Sequence, residues 1–440
     1  MSENNRVKRH IYFSFSSAFS SRFVLINLEL ASMQTQSKII WITPKWPFPI
    51  VDGAKIATTQ LLKNLSSRGV NIHLVSIIPE GEIVNYADAE KELGIKEVTV
   101  IRRSKVTFFR KCAQFLRSPF IPITFFPYAA KSIADSLNHL IDDERCTLVV
   151  YDGLHAAGWK LRTPKFKKNH RVEAYRAHNV ESQLWFRASK ETLNPFKKCL
   201  LYFQGRLIKR FEIKLARTAD YVFPVSLLDA SIFKKYLPRG KLLTLPIGLK
   251  TETALTHAYR LFPSTKRNIL FVGKLDWAPN RDGLKWILDK VWLNAKERAK
   301  ELSLTIVGSG DHIWLEPYSH LPGIKIIGEV QKLAPYYEDC IATIVPVFYG
   351  SGTRVKAIES SLYGRVCIST KTGVEGIGLI DGESYHRVEH ADEWIHALAF
   401  LDAPDAFQMG KAAQDYAKRV FDPGIIADRF MESIAWSPGP

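Results

Sequence analysis

The sequence lacks the patterns that mark disulfide-rich, zinc-binding and membrane-spanning proteins. Its 440 residues include only five cysteines, which are far apart, odd in number and without any C-x-x-C pair. They therefore indicate neither a disulfide framework nor a zinc site, and they fit a reducing cytosol. No run of 18 or more uncharged apolar residues occurs, so no membrane-spanning helix is predicted.

The motifs of several enzyme classes are also missing. The sequence has no P-loop, no H-E-x-x-H and no G-x-S-x-G, which argues against nucleotide triphosphatases, zinc proteases and lipase-like hydrolases. A dinucleotide-dependent oxidoreductase would carry G-x-G-x-x-G after its first strand. Here the first loop has only Gly53, and Gly308-Ser-Gly310 lacks the third glycine.

The composition and length describe an ordinary globular protein of two domains. Hydrophobic residues make up 46% and charged residues 24% of the chain, which is longer than the roughly 250 to 300 residues at which one core stops growing. We expect residues 1–36 to be an extension that is disordered or not the native start. Their apolar stretch holds five serines and Arg22 and has no clear cleavage site, which argues against a signal peptide, and Met33 would be a natural start before the strand 39–43. Residues 37–247 and 248–420 are predicted to form the two domains, and 421–440 a helix that packs back on the first.

Positive charge is concentrated in the N-terminal half. The formal net charge is +17, yet residues 1–250 hold 40 lysines and arginines against 20 aspartates and glutamates, and residues 251–440 hold 21 against 24. Residues 101–217 alone hold 24 against 9. Such a field favours an anionic partner, which could be a phosphate-bearing lipid surface, an acidic saccharide or nucleic acid. The alternative is that these cations lie on solvated helix faces.

Short apolar runs alternate with stretches long enough for helices, which is typical of a parallel doubly wound α/β sheet. The alternation restarts after a polar stretch at 247–266, so two such sheets are predicted. The predicted strands are 39–43, 71–78, 147–151, 172–176, 221–225 and 242–246 in the first sheet, and 268–272, 302–307, 324–327, 342–345 and 366–370 in the second. Ligands of such sheets lie beyond the carboxyl ends of the strands.

The strongest candidate loop follows the predicted strand 342–345. It passes Gly350 and Gly352, and a helix is predicted to begin near Thr353. Free amides at a helix start bind anions, and glycines let the backbone approach a ligand closely.

Charged residues accompany this loop. Arg354 and Lys356 would add positive charge in the first helical turn, and Glu359 could accept paired hydrogen bonds from a ribose diol. The alternative is a plain helix cap with a Lys356 and Glu359 surface pair, which would contribute only about 0.3 kcal/mol.

Several ordered motifs resemble those of family 4 (group 1) glycosyltransferases, which have the GT-B fold. The motifs are the segment 350–364, Gly273-Lys-Leu-Asp-Trp-Ala-Pro-Asn280, Ile306-Val-Gly-Ser-Gly310, Thr370-Lys-Thr-Gly-Val-Glu-Gly376, the loop around Gly53, Ala177-His-Asn-Val-Glu181 and Pro224-Val-Ser226. The resemblance covers about residues 38–436. It implies two Rossmann-like domains that face each other across a cleft. It also implies transfer of a sugar from a nucleotide diphosphate sugar, with retention of configuration and without a metal or another cofactor.

The resemblance implies roles for single residues. Catalysis is assigned to His178, Arg354 and Lys356, and donor binding to Gly53, Lys274, Gly350, Ser351, Gly352, Thr353, Glu359 and Glu375. Two positions depart from the family pattern, because Ser351 replaces the first glutamate of a Glu-x7-Glu pair and Asn280 replaces a phosphate-binding cation. Arg354 and Lys356 could substitute for that cation, since a positioned charge can neutralise the departing diphosphate from either loop.

Two histidines follow predicted strands. His178 comes after the strand 172–176, where the resemblance implies a place beside the transferred sugar; the alternative is a surface or capping group. His155 is a weaker candidate, since it could simply pack under the next helix.

The sequence therefore predicts a hexosyltransferase-class enzyme that adds a sugar to a saccharide or lipid-linked acceptor in surface polysaccharide synthesis. Phenylalanines interleave with cations over residues 102–128, which favours a cytoplasmic enzyme that contacts an anionic surface at the inner face of the cell membrane. The alternative there is that the phenylalanines are core residues. For the whole chain the alternative is a non-catalytic nucleotide- or nucleic-acid-binding protein with a basic N-terminal half. No nucleic-acid partner is expected, because no recognition motif supports one.

Overall fold

Two parallel sheets of six strands form the framework of the protein. The computed structural model describes residues 37–50, 52–105, 107, 116–162, 171–238, 241–250, 267–350, 352–401 and 403–435. The strands of the first sheet are β1 (Lys38–Thr43), β2 (Ile72–Pro79), β3 (Glu97–Arg103), β4 (Cys146–Asp152), β5 (Val172–Ala177) and β6 (Tyr221–Pro224). Those of the second sheet are β7 (Arg267–Val272), β8 (Leu302–Val307), β9 (Ile324–Gly328), β10 (Ala342–Val345), β11 (Val366–Ser369) and β12 (His386–Arg387).

Helices connect these strands. The α-helices before β7 are α1 (Gly53–Ser66), α2 (Ala87–Leu93), α3 (Lys131–Ile141), α4 (Glu181–Glu191), α5 (Pro195–Thr218) and α6 (Leu227–Phe233). Those after β7 are α7 (Ala278–Ile287), α8 (Leu293–Arg298), α9 (Ala334–Glu338), α10 (Val355–Leu362), α11 (Ala391–Phe400), α12 (Ala403–Val420) and α13 (Pro423–Ser433). Short 3-10 segments are Ile123–Phe125, Leu154–Arg162, Ile313–Tyr318 and Thr372–Val374, and a π-helical turn, Leu288–Trp292, joins α7 to α8. Within the described ranges, no helix is long and apolar enough to cross a membrane.

Both sheets have the same strand order. The first is ordered β3-β2-β1-β4-β5-β6 and the second β12-β11-β10-β7-β8-β9, so β1 lies beside β4 and β7 beside β10. The winding of the chain reverses between these central strands, and ligands of doubly wound sheets bind in the crevice at such a switch point. The predicted pair of parallel α/β sheets is therefore confirmed, and the loops after the four central strands become the candidate site.

The central strands are buried on both faces, as strands of a parallel sheet covered by helices must be. In β1, Ile40 and Ile42 belong to the hydrophobic core on one face of the first sheet. Ile39 and Trp41 belong to the core on the opposite face. The uninterrupted apolar run of β1 thus serves two cores at once.

The last helix packs on the first sheet. Phe430 of α13 has its ring centroid 5.8 Å from that of Trp41 in β1, and Arg68 Nε donates a 2.7 Å hydrogen bond to Asp428. The chain therefore passes between the two halves twice. The passages meet where the amide of Leu249 donates to the carbonyl of Phe421 at 2.9 Å.

Three details of the sequence prediction need correction. The segment 242–246, predicted as a strand, runs beside β6 without completing a ladder. The amides of Leu243 and Leu245 donate to the carbonyls of Val222 and Pro224, but Pro224 has no amide to donate back. The edge strands β3 and β12 were not predicted, since charged residues break up the apolar pattern of β3 and β12 has only two residues. The helix expected to begin near Thr353 begins two residues later, so Arg354 precedes the first turn of α10.

Candidate active site

The candidate site lies where the switch points of the two sheets face each other. Gly53 begins α1 after the loop that follows β1, and a Cβ atom placed on Gly53 would lie 3.5 Å from Val355 Cγ2 at the start of α10. The N-termini of these two helices, one from each half of the chain, therefore adjoin each other across the cleft.

Lys356 links the loops after β7 and β10. Its ammonium donates a hydrogen bond to the side-chain oxygen of Asn280 and lies 4.9 Å from the centre of the Phe271 ring. It also lies near Gly273, where an added Cβ would be 3.3 Å from Nζ. Asn280 is held in turn, because its side-chain amide donates to the carbonyl of Lys274 at 2.9 Å. A single cation thus occupies the switch point of the second sheet.

The charge of Lys356 depends on its surroundings. Burial lowers the pKa of Lys356 from 10.5 to about 7, and the charge of Arg354 lowers it too. Burial also raises the pKa of Glu359 to about 7, against the opposing effects of Tyr337 and Lys356. An anion beside a lysine favours its charged form. A bound diphosphate would therefore keep Lys356 protonated.

Glu359 lies one turn further along α10. The hydroxyl of Tyr337 donates a long hydrogen bond of 3.4 Å to its Oε2, and Tyr337 stacks on Tyr363 with ring centroids 4.4 Å apart. The carboxyl group is held by an aromatic pair and can accept hydrogen bonds from hydroxyl groups of a ligand.

The glycine loop, residues 346–350 and 352–354, is held by two arginines. Arg354 Nη2 donates to the carbonyl of Gly350 at 3.1 Å and lies 3.9 Å from the carboxylate of Glu375. Arg187 of α4 donates to the same carbonyl at 3.2 Å, so a residue of the N-terminal half also binds the loop. Gly350 has a φ of +115° and Gly352 a φ of +95°, values at which a Cβ atom causes strain. Ser351 lies outside the described residues.

A small cavity beside the glycine loop lies between the two halves. Its volume is about 50 Å³, and its lining includes Thr353 and Glu375 from one half and Asn179 and Arg187 from the other. Nearby, the Nε of Arg354 is buried and has no hydrogen-bond partner in the described part of the chain. An unpaired buried donor is unfavourable, and a ligand oxygen that reached it would supply the missing bond.

On the N-terminal side, Asp152 at the end of β4 gathers four donors. His178 Nε2 lies 2.7 Å from Oδ1 and Arg176 donates to the same oxygen at 3.0 Å, while Thr58 and Trp41 donate to Oδ2 at 2.5 and 3.1 Å. Burial alone would raise the pKa of Asp152, but the charges of His178 and Arg176 hold that pKa well below its usual value. Asp152 is therefore a buried carboxylate.

This carboxylate orients the ring of His178. Because a carboxylate only accepts hydrogen bonds, Nε2 of His178 must carry the hydrogen, and Nδ1 remains for another partner. Among the described side chains, no group of three or more His, Cys, Asp or Glu residues is arranged to hold a metal ion.

His178 lines a cavity of about 590 Å³ in the N-terminal half. The cavity extends between the loop after β1, the start of α1 and the segment 123–128, and its charged lining residues include Lys45, Lys55, Glu82 and Arg103. Arg103 lies over the ring of Tyr128 with Cζ 4.8 Å from its centre. The space is large enough for a saccharide unit and offers it both an aromatic ring and cations.

Two further candidate residues are Lys274 and His155. Lys274 is exposed, and its ammonium lies 3.5 Å from Asp276. His155 stacks on Phe125 with ring centroids 4.4 Å apart, and burial lowers its pKa to about 4. His155 is therefore neutral and packs in the wall of the larger cavity.

Three residues of the site were not predicted from the sequence. Asp152 stands at the carboxyl end of a buried strand and before Gly153, which is the signal that could have identified it. Asn280 stands where the family pattern has a cation, so the sequence indicates only a lost charge. In the structure its side chain accepts a hydrogen bond from Lys356, which supplies the charge. Arg187 lies within a helix, where no local pattern distinguishes it.

Comparison with known sequences identifies the C-terminal half. Residues 266–401 match the family described as "Glycosyl transferases group 1". The chain is also 23% identical over 359 residues to an uncharacterized 44.6 kDa protein in the cps region of Klebsiella pneumoniae, and the match covers 79% of this chain and 86% of that protein.

Solved structures share the two-domain architecture. Sucrose-phosphate synthase from Thermosynechococcus elongatus has a TM-score of 0.62 at 15% identity, over 91% of this chain and 98% of that one. HepE of Anabaena, in complex with UDP and glucose, has a TM-score of 0.54 at 12% identity, over 91% of this chain and 99% of that one. The predicted GT-B fold is confirmed, and residues 266–401 match the predicted group 1 family.

Proposed function

We propose that the chain is a glycosyltransferase whose donor is a nucleotide diphosphate sugar, because residues 266–401 match the group 1 glycosyltransferase family. The acceptor is a saccharide or a lipid-linked saccharide of surface polysaccharide synthesis. The transfer retains the anomeric configuration and needs neither a metal ion nor another cofactor. The enzyme works in the cytoplasm, at the inner face of the cell membrane.

The observation that carries this proposal is the position of Lys356. Its ammonium lies at the switch point of the second sheet, bonded to Asn280 and close to the backbone at Gly273. Nucleotides bind doubly wound sheets at that point, with their phosphates near a helix N-terminus. Lys356 supplies positive charge where a diphosphate group would lie.

Transfer requires the departing diphosphate to be stabilised. The bond between the anomeric carbon and the diphosphate oxygen breaks, the electron pair stays on that oxygen, and the acceptor hydroxyl oxygen bonds to the carbon. The hydroxyl proton passes to the departing phosphate or to water. We assign stabilisation of the developing negative charge to Lys356 and Arg354, and binding of the ribose hydroxyls to Glu359. Gly350, Gly352 and Thr353 let the backbone approach the diphosphate.

The acceptor occupies the 590 Å³ cavity of the N-terminal half in this proposal. His178, oriented by Asp152, forms its boundary toward the cleft and hydrogen-bonds a hydroxyl of the transferred sugar or of the acceptor. Lys55 and Arg103 suit an acceptor that carries a phosphate or a carboxylate.

Two relatives support the choice of substrates. The structure of HepE contains UDP and glucose, and it shares the fold. The Klebsiella pneumoniae relative belongs to a cps region. We infer from the first a nucleotide diphosphate sugar as donor, and from the second a product that is a surface polysaccharide.

A panel of nucleotide sugars tests the proposal. Thermal shift should find a nucleotide that raises the melting temperature, and incubation of the matching nucleotide sugar with the enzyme should release free nucleotide. NMR of the first product should show the anomeric configuration of the donor, and excess chelator should leave turnover unchanged. Oligonucleotides serve as the control ligand. If they stabilise the protein and no nucleotide does, the proposal fails.

A further inference from the structure

The hairpin formed by α4 and α5 ends in an exposed apolar tip. Leu193 is fully exposed and Phe196 is 87% exposed, and Leu200, one turn after Phe196, is exposed as well. The start of α5 is a well-capped helix, since the side chain of Asn194 accepts a 3.0 Å hydrogen bond from the amide of Lys197. A regular helix therefore presents large apolar side chains to solvent at this end.

A turn that is bonded to α5 carries further exposed apolar side chains. Phe120 is 75% exposed and Leu116 is 81% exposed. This turn is tied to α5, because the amide of Ile123 donates a 2.8 Å hydrogen bond to the side-chain oxygen of Gln204. The five exposed residues, Leu116, Phe120, Leu193, Phe196 and Leu200, are termed the apolar tip.

The exposed charges of α5 are all positive, although Glu191 at the end of α4 is also exposed near the apolar tip. The helix α5 contains seven lysines and arginines and one acidic residue, Glu212. Glu212 is buried, where it accepts hydrogen bonds from the amide of Glu181 and from the hydroxyl of Ser182. Exposed cations, among them Lys197 and Lys198, therefore accompany the apolar residues without an exposed acidic residue on the same helix.

The apolar tip lies close to the acceptor cavity along the chain. The segment that follows Phe120 supplies Ile123, Thr124, Pro127 and Tyr128 to the cavity lining. A surface that rests on a bilayer at the tip would bring this side of the cavity close to the lipid headgroups.

We propose that the apolar tip and Lys197 and Lys198 dock the enzyme on an anionic lipid bilayer. The apolar side chains enter the interface and the lysines contact anionic headgroups, as in other interfacial helices with apolar and basic faces. The docking places the acceptor cavity beside a lipid-linked acceptor, and in this respect it rests on the proposed function. This surface differs from most of the predicted stretch 102–128, of which residues 106 and 108–115 lie outside the described residues.

Vesicle cosedimentation of the full chain tests the inference. The wild type should bind vesicles that contain phosphatidylglycerol and should bind pure phosphatidylcholine vesicles much more weakly. Replacing both Lys197 and Lys198 with glutamine should lower the partition coefficient about five-fold for each lysine. Phe196→Ser should lower it about ten-fold or more, because a large apolar side chain no longer enters the interface.

Matched variants on the C-terminal half serve as controls. The pair Lys290→Gln and Lys411→Gln makes the same change in net charge, and Ile313→Ser removes another exposed apolar side chain. These variants should partition as the wild type does. The inference would be overturned if the control variants lost as much vesicle binding as the tip variants do. It would also be overturned if the wild type bound vesicles with and without phosphatidylglycerol equally.

Two further measurements separate this surface from the proposed function. UDP and GDP binding is measured on the same preparations, and the tip variants should keep wild-type nucleotide affinity. If the wild type binds nucleotide but does not bind vesicles, only the docking surface is contradicted and the proposed function is not. If the wild type binds no vesicles and Phe196→Ser converts an oligomer to a monomer in sedimentation analysis, the tip joins copies of this chain and the inference fails.

Discussion

The ammonium of Lys356 is expected to control donor affinity, and replacement by methionine tests it most directly. Methionine keeps an unbranched apolar stem beside Phe271 and removes the bond to Asn280. A charge-assisted hydrogen bond to a diphosphate contributes about 1.5 to 3 kcal/mol, so the Kd for a nucleotide should rise about ten- to a hundred-fold. Folding should be little affected, because the substitution removes a charge that burial already disfavours.

The pH dependence of binding measures the same charge independently. The pKa of Lys356 is lowered to about 7, mainly by burial, so the free enzyme holds a largely neutral amine at about pH 8.5. A diphosphate binds the ammonium form, so binding above pH 7 takes up a proton and the Kd rises about ten-fold for each pH unit. Because half of the free enzyme already holds a neutral amine at pH 7, donor affinity should fall about fifteen-fold between pH 7 and about pH 8.5.

Glu359 titrates in the same range, because burial raises its pKa to about 7. Ionisation of Glu359 strengthens its bonds to ribose hydroxyls as the pH rises, so its effect on affinity has the opposite sign. Glu359→Gln removes this second titration and should make the decline in affinity above pH 7 steeper.

The assay is calorimetry with a nucleotide diphosphate sugar, because its diphosphate keeps the same charge between pH 7 and about pH 8.5. Titrations in buffers of different ionisation enthalpy give both the Kd and the number of protons taken up. Lys411→Met removes an exposed lysine of α12 and is the matched control, which should bind as the wild type does. The reasoning is refuted if Lys356→Met binds the donor as tightly as the wild type does. It is also refuted if the donor affinity of Lys356→Met declines above pH 7 as steeply as that of the wild type.

Four further substitutions are predicted to separate the two sides of the site. His178→Ala should leave nucleotide Kd nearly unchanged and strongly lower turnover, because His178 belongs to the acceptor side; wild-type turnover would make it only a structural residue. Asp152→Ala should lower the free energy of unfolding by about 3 to 5 kcal/mol in urea titrations, since Arg176 loses its buried partner; an unchanged midpoint would contradict this. Arg187→Ala should weaken nucleotide binding in calorimetry by about ten-fold, because the glycine loop loses one of two donors, and equal affinity would argue against a role in holding the loop. Arg103→Ala should raise the KM for an anionic acceptor and not the KM for the donor; equal changes in both would remove it from the acceptor site.

The sheets were largely predictable because their central strands are buried on both faces. Such strands read as continuous apolar runs, and the predicted run at 302–307 matches β8 residue for residue. The edge strand β3 was missed because its sequence mixes valines with Glu97, Arg102 and Arg103. The segment 242–246 was predicted as a strand because it is apolar. The prediction failed because Pro224 in the partner strand β6 has no amide to donate.

The candidate site was only partly predictable, because it depends on contacts between loops that are far apart in sequence. The spacing of Lys356 within α10 indicated a phosphate site, but its bond to Asn280 joins residues 76 positions apart. The relation of His178 to Asp152 likewise joins two strand ends that only the strand order brings together. Periodicity describes single elements, and these pairs are properties of the assembled sheets.

The meeting of the two chain passages at Leu249 and Phe421 has a mechanical consequence. Gly248 lies so close to Pro423 that an added Cβ would be 2.9 Å from its Cα. Two covalent connections side by side form a single pivot, so any rotation of one half against the other must turn about this point. Such a rotation would separate Arg187 from Gly350 across the cleft and leave α13 fixed to the first sheet. An opening of the cleft that releases product would then break the bond between Arg187 and Gly350 and keep the bond between Leu249 and Phe421.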